Sequence, residues 1–443
     1  MKRTVSFICL LAVLLSSAFA GGSKETVKPH ELRFLVPSTA GSAQYELMQE
    51  KAKEFSKTHP GVTVFIDAQP TAQIRTKLTV EFAAGNPPST SWCVLNYMRE
   101  FMKDNKIVDW RPIYDNPKHP EFRRWYSETI LEGSRYKDGR LMSVPHEASM
   151  DGLFYNKEIF DKYGWKLPKT WDELLALAKE ARSKGLYLLV TGGKDMRFAW
   201  MASALLIRTT SLQKANELAM GSAMNKWNDP AYGFPKAMAK FAELVKAEAF
   251  PPGVLGLSAN EADQMFARGQ VAMYYEGAWK PLNFLSVGGP EFIKKVQRAD
   301  LPPMTDMPEA TPGINVGGTI VGYIIASNQT KEQIENCADW LKIMVDPEFW
   351  KAVTKKGGAM PFLPAGRLGD FDWSPFPAVM KQLYDAFQTA KGFAPSMDTW
   401  APPAVDLAIK KTAMPGIISG EFTVEKAVAE VQRVAEEYLK TAK

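Results

Sequence analysis

Hydrophobic positions along the chain switch between two periods. Leu32 to Val36 reads as a strand, followed by the turn-rich loop Pro37-Ser38-Thr39-Ala40-Gly41-Ser42. Met48, Ala52 and Phe55 then recur at the spacing of one helical face. That helix stops at His59-Pro60-Gly61, which cannot continue it. Val62, Val64 and Ile66 alternate as in a strand. Ile74, Leu78 and Phe82 form a second helical stripe, ended by Gly85-Asn86-Pro87-Pro88. Strand, helix, strand, helix predicts a mostly parallel sheet built from βαβ units.

The same logic returns further on. Ser143 to Tyr155 is an extended run. Thr170-Trp171-Asp172-Glu173 is a capping box, in which the Thr hydroxyl takes a backbone N–H and the Glu reaches back. Leu174, Leu177, Ala178 and Ala181 make the buried stripe of that helix, Gly185 ends it, and Leu186 to Val190 is a short buried strand. Ser258-Ala259-Asn260-Glu261 is a second capping box, ahead of Met265 and Phe266. Val271 to Tyr275 and Gly317 to Ala326 read as strands. Ile334, Ala338, Leu341 and Val345 fit a helix stopped at Asp346-Pro347. A last helix starts at Thr423, striped by Ala427, Val428, Val431, Ala435 and Leu439.

Length and composition sharpen this picture. A chain of 443 residues exceeds one compact core and suits two domains. Proline-rich stretches at Pro251-Pro252, Leu301 to Pro312 and Pro361 to Pro377 are connections rather than linkers, and no single boundary is clean. That favours two lobes joined by several crossings. With 46% hydrophobic and 23% charged residues, the balance is that of an ordinary globular protein.

The N-terminus has its own pattern. Lys2 and Arg3 precede an apolar run from Val5 to Leu15, then Ala18-Phe19-Ala20 and Gly21-Gly22-Ser23. A basic start, a short apolar run and an A-x-A site predict a cleavable secretory signal over residues 1–20 and a tether over 21–30. The run is short for a membrane anchor, and no cysteine follows it to accept lipid. A periplasmic or extracellular, non-lipoprotein chain is expected. Losing Lys2 and Arg3 lowers the net charge from +5 to +3, with no block of like charge to hold nucleic acid. Cys93 and Cys337 then remain, and two readings stand for them: a single disulfide, or two buried thiols. The four histidines have no metal-ligand spacing, and no motif calls for a cofactor.

Four segments carry a resemblance. Val144-Pro145, Asp151 to Lys157 and Pro168 to Leu174 form the first. Met265 to Met273 through Gly277-Ala278-Trp279 is the second. Gly318 to Ala326, the helix to Asp346 and Gly357-Gly358-Ala359-Met360-Pro361 make the third, and Gly420 to Ala427 the fourth. In this order they resemble the family 1 extracellular solute-binding proteins of ABC importers, over nearly all of the chain after the leader. The resemblance implies an α/β, two-lobed periplasmic binding protein fold with crossing hinge strands and a ligand cleft between the lobes. The first lobe would comprise residues 31–148 and 315–364, the second 149–314 and 365–443. Crossings would fall at Glu147 to Asp151, Asn315 to Gly318 and Pro361 to Arg367. A monomer that passes a small ligand to ABC transporter membrane subunits is the implied function.

A sugar needs aromatic rings for its C–H faces and planar polar groups for its hydroxyls. The resemblance places Trp279 as the stacking ring, with Trp400 and Trp200 near further contact segments. It places Ser42 in the loop after the first strand and Asn96 in the loop Trp92-Cys93-Val94-Leu95-Asn96, although Pro88-Ser89-Thr90 departs from the family's usual Pro-Asp. Glu147, Met150 and Asp151 fall at the implied hinge, where carboxylates accept paired hydroxyls. Side-chain alternation lets either Tyr275 or Glu276 face the cleft, not both. Gly318, with Gly317, either admits backbone to the ligand or marks a bulge.

Other functions fit less well. Glu147, Asp151 and Glu276 could serve a glycoside hydrolase, yet nothing in their spacing requires it. A cation receptor would need acids without stacking rings, and a phosphate-ester receptor would need Arg or Lys. No GxSxG, P-loop or GxGxxG motif occurs. A neutral carbohydrate or polyol is the expected ligand.

Overall fold

The computed structural model describes residues 30–357 and 363–441. The expected leader and tether, and the Gly358 to Pro361 part of the third segment, lie outside them, apart from His30. Ten strands run β1 His30–Pro37, β2 Val62–Gln69, β3 Thr90–Val94, β4 Val144–Asn156, β5 Tyr187–Val190, β6 Val271–Gly277, β7 Val296–Ala299, β8 Ile314–Ile325, β9 Leu363–Pro364 and β10 Gly392–Ala394. Their order is β2-β1-β3-β8-β4-β6-β5, with β10 on β8 and β7 and β9 on β4. β1 lies parallel to β2 and β3, and β5 parallel to β6, while β4 and β8 pair antiparallel. The result is two α/β lobes, one around β1–β3 and one around β5–β7.

β4 and β8 belong to both lobes. β4 pairs with β8 from Val144 to Met150, then with β6 from Asp151 to Tyr155. β8 pairs with β10 from Ile314 to Val316, meets β4 at Gly317 and Gly318, and pairs with β3 from Val321. Gly317 sits at φ 132°, and a Cβ there would collide with the Ser149 carbonyl. Only glycine lets β8 pass this close to β4.

Local signals become local structure. The helix Ala43–Thr58 buries Met48, Ala52 and Phe55, and Ser42 caps it by accepting the Tyr45 N–H. Both halves of the Ser258–Glu261 capping box form. At Thr170 only half does: its hydroxyl accepts the Glu173 N–H, but the Glu173 carboxylate takes the Lys169 N–H at 2.7 Å. The helix Lys331–Val345 has a capping box of its own, Thr330 with Gln333.

Packing follows the strand alternation. Leu153 and Tyr275 face a core under the helices Phe198–Thr209 and Val424–Thr441. Their neighbours Phe154 and Tyr274 face the other core, which runs from the second lobe to Phe34, Tyr323 and Trp340 in the first. Each such large apolar side chain contributes ~1.5–3 kcal/mol when fully buried. Cys93 and Cys337 are both buried free thiols, each pushed up by burial, Cys337 to about 12. Among the described residues no helix is long and apolar enough to cross a membrane.

Candidate functional site

β5 ends at Val190, level with Tyr274, and β6 runs on to Gly277; the crevice beyond such carboxyl ends is the usual ligand position in parallel α/β sheets. After Gly277 the chain turns through Ala278 and Trp279 into the helix opening at Lys280. A Cβ on Gly277 would fall inside the Trp279 ring, so glycine lets the indole fold back over the strand end. The half-buried Trp279 meets Trp200 edge to face, centroids 5.1 Å apart at 79°. The Arg197 guanidinium covers the Trp200 ring at 4.1 Å, and the Tyr275 hydroxyl donates to the Trp200 carbonyl at 3.2 Å.

Two carboxylates adjoin these rings. Asp151 pairs across the sheet with Gly277, and directly opposed antiparallel residues project to the same face. Its side chain therefore projects on the face that the Trp279 ring covers. Asp151 is 6% exposed, and its Oδ2 is buried with no hydrogen-bond partner. Burial, then Glu276, then Asp398 hold its carboxyl well above the usual range, against the pull of Arg197. Glu276 is fully buried. Its Oε2 accepts from Thr191 at 3.4 Å, and its Oε1 lies 3.7 Å from Arg197 Nε. Burial pushes it up to about 7, opposed by Lys280 and Arg197. Lys280 itself is closed onto Asp263 at 2.6 Å, both almost fully buried.

The first lobe faces this wall through the helix Leu95–Lys103. Arg99 Nη1 donates to the Thr399 carbonyl across the cleft at 3.2 Å, and burial lowers its pKa. Around this contact lie two cavities. One, of about 560 Å³, is lined by Asn96, Arg99 and Glu100 on one side and Met220, Asp398 and Trp400 on the other. The second, of about 440 Å³, shares Arg99 and Met220 and reaches Gly317, Gly318 and Phe393. Glu147 is half-buried on β4, and burial pushes its carboxyl up to about 7 while the Trp92 indole opposes.

The expected residues thus separate into groups. Trp279, Trp200, Asp151 and Glu276 form one constellation. Trp400, Asn96 and Gly318 line the cavities. Trp400 is also core: it is 2% exposed and its indole donates to Asn216 at 2.9 Å. Glu147 lies four residues before Asp151 on the same strand. Ser42 is engaged as a helix cap. Met150 is fully buried in the core, with its sulfur taking a contact from Arg298 at 3.8 Å. Of Tyr275 and Glu276, the tyrosine packs into the core and the glutamate meets Arg197. Arg197, Arg99, Thr191 and Asp398 join the site without having been singled out. Arg197 and Asp398 lie within three residues of Trp200 and Trp400. Arg99 carries no such signal. No group of three His, Cys, Asp or Glu residues able to hold a metal occurs among the described residues.

Comparison with known proteins supplies the family. Residues 39–349 match the family model described as bacterial extracellular solute-binding protein. The chain is 26% identical over 269 residues to the diacetylchitobiose binding protein of Streptomyces coelicolor, covering 56% of this chain and 50% of that one. It is 24% identical over 287 residues to an ABC transporter extracellular-binding protein of Pyrococcus horikoshii, covering 61% and 64%. The matched region therefore spans about half to two thirds of these curated relatives. Its fold superposes on a chitin oligosaccharide binding protein with a TM-score of 0.73 at 22% identity, covering 92% of this chain and 100% of that one. It superposes on a bacterial solute receptor with exclusive preference for galactopyranose with a TM-score of 0.76 at 17% identity, covering 94% and 98%. At such identities the likeness concerns the fold, two lobes about a cleft. With the family model spanning most of its length, the chain belongs to the bacterial extracellular solute-binding proteins.

Proposed function

We propose that this protein is a secreted, non-enzymatic receptor that captures a sugar or oligosaccharide between its lobes and delivers it to the membrane subunits of an ABC importer. The observation that carries this reading is the Trp279–Trp200 pair on the sheet face of Asp151, whose buried Oδ2 has no hydrogen-bond partner. Indole faces cover the apolar side of a sugar ring, and a carboxylate accepts its hydroxyls. Relatives named for diacetylchitobiose and for chitin oligosaccharide support the ligand class.

The mechanism is a hinge. The lobes comprise residues 31–148 with 315–364, and 149–314 with 365–443. They rotate where β4 and β8 change partners, near Met150–Asp151 and Val316–Gly317. Ligand stabilises the closed form because that form alone makes both sets of contacts. The receptor acts as a monomer, after removal of residues 1–20, in the periplasm or outside the cell.

The test is calorimetric titration with a panel of mono- and oligosaccharides, alongside small-angle scattering. Micromolar or tighter binding with compaction at saturation is expected, and Trp279→Ala should weaken binding about tenfold or more. Absence of binding across the panel, or steady release of sugar products, would overturn the reading.

A further inference from the structure

We propose that the cleft takes a saccharide carrying a cationic amine, with the ammonium seated between the Asp151 carboxylate and the Trp279–Trp200 rings. This rests on the receptor reading above and narrows its ligand class.

The first observation is Asp151 itself. Its carboxylate is more than nine-tenths buried, and Oδ2 has no donor. Arg197, the cation that acts on it, is turned instead toward Glu276 at 3.7 Å and onto the Trp200 face. A buried carboxyl in this state keeps a proton unless a cation arrives to pair with it.

A second observation is aromatic and independent of the acids. Gly277 opposes Asp151 and has no side chain, and the Trp279 ring occupies the space on that face. The indole shares a sheet face with the Asp151 side chain, with Trp200 against it. A carboxylate beside indole rings suits an ammonium twice over, through a charge-assisted hydrogen bond and through attraction to the ring face. Trp200 already accepts one cation, the guanidinium of Arg197.

Charge balance decides between an amine and a hydroxyl. Asp151 feels both Glu276 and Asp398 as like charges, with Arg197 opposing. Lys280, which acts on Glu276, is committed to Asp263. Burial and these like charges favour the protonated form of Asp151 in the ligand-free cleft, and a neutral sugar would leave it so. An ammonium supplies a hydrogen bond together with the charge that lets the carboxyl ionise.

The test compares matched oligomers of glucosamine, N-acetylglucosamine and glucose by calorimetry on the secreted chain at about pH 6, where an alkylamine is charged. The glucosamine oligomer should bind about tenfold tighter or more than the other two, and added salt should selectively weaken it. Asp151→Asn should cost the amine oligomer more than the neutral ones. Equal affinity for all three, or an equal loss for all three in the variant, would overturn the proposal while leaving the receptor reading intact. Binding of none would remove both. Should the variant fail to fold, the three-way comparison and its salt dependence on the unaltered protein still decide.

Discussion

Two buried acid–base groupings lie within a few residues of each other in the second lobe, and they are built on opposite principles. Asp263 and Lys280 form a closed pair at 2.6 Å, both about 3% exposed. Asp151, Glu276 and Arg197 form an open one: Asp151 has an orphan oxygen, and Glu276 meets Arg197 at only 3.7 Å. The closed pair pins the start of the helix that follows Trp279. The open group has unspent hydrogen-bonding capacity beside that same indole. A satisfied buried charge is architecture, whereas an unsatisfied one beside a cleft points to a ligand.

The contrast is broken most severely at the closed pair. Lys280→Met should destabilise the protein by roughly 3–5 kcal/mol, because Asp263 would remain as an uncompensated buried charge. Urea unfolding reads this directly, and a loss under 1 kcal/mol, roughly the worth of an exposed pair, would remove the distinction. Next comes pH. Glu276 is raised to about 7 in the fold from an ordinary 4.5, so the native state holds its proton longer than the unfolded chain. Ligand-free stability from this group is full below pH 4.5 and is lost as pH rises to about 7. The drop is on the order of 3 kcal/mol, and Glu276→Gln should flatten it in melting curves taken across that range.

Asp151→Asn sharpens the comparison by its sign. Removing a carboxyl that burial and two like charges disfavour should leave ligand-free stability unchanged or raise it by about 1 kcal/mol, while weakening ligand binding. A fall in melting temperature like that of Lys280→Met would make the two groupings alike. A similarly small effect belongs to Arg99→Ala, which deletes one hydrogen bond between lobes. It should shift the open–closed balance by about 0.5–1.5 kcal/mol, seen as a larger ligand-free radius of gyration in scattering.

Much of the fold is legible along the chain. The stripe Met48, Ala52, Phe55 and the Ser258–Glu261 box appear as read, because periodicity and caps are local. The Thr170 box differs in its second half, where the Glu173 carboxylate takes a neighbouring N–H. The site is only partly legible. Trp279 stands out after a strand and a glycine, but Met150 is spoken for by the core and Ser42 by a helix end. Arg99 sits mid-helix with no signal, and only the approach of Thr399 from 300 residues away marks it.

By itself, then, the sequence determined the order of strands and helices, the two-lobed family fold and the aromatic candidates, since periodicity, capping and motif spacing act between near neighbours. Only the tertiary structure decided which carboxylate stands beside which ring. Asp151 shares a face with the Trp279 ring because β4 pairs with β6 in one register and Gly277 leaves room for the indole, a long-range fit that no local pattern encodes.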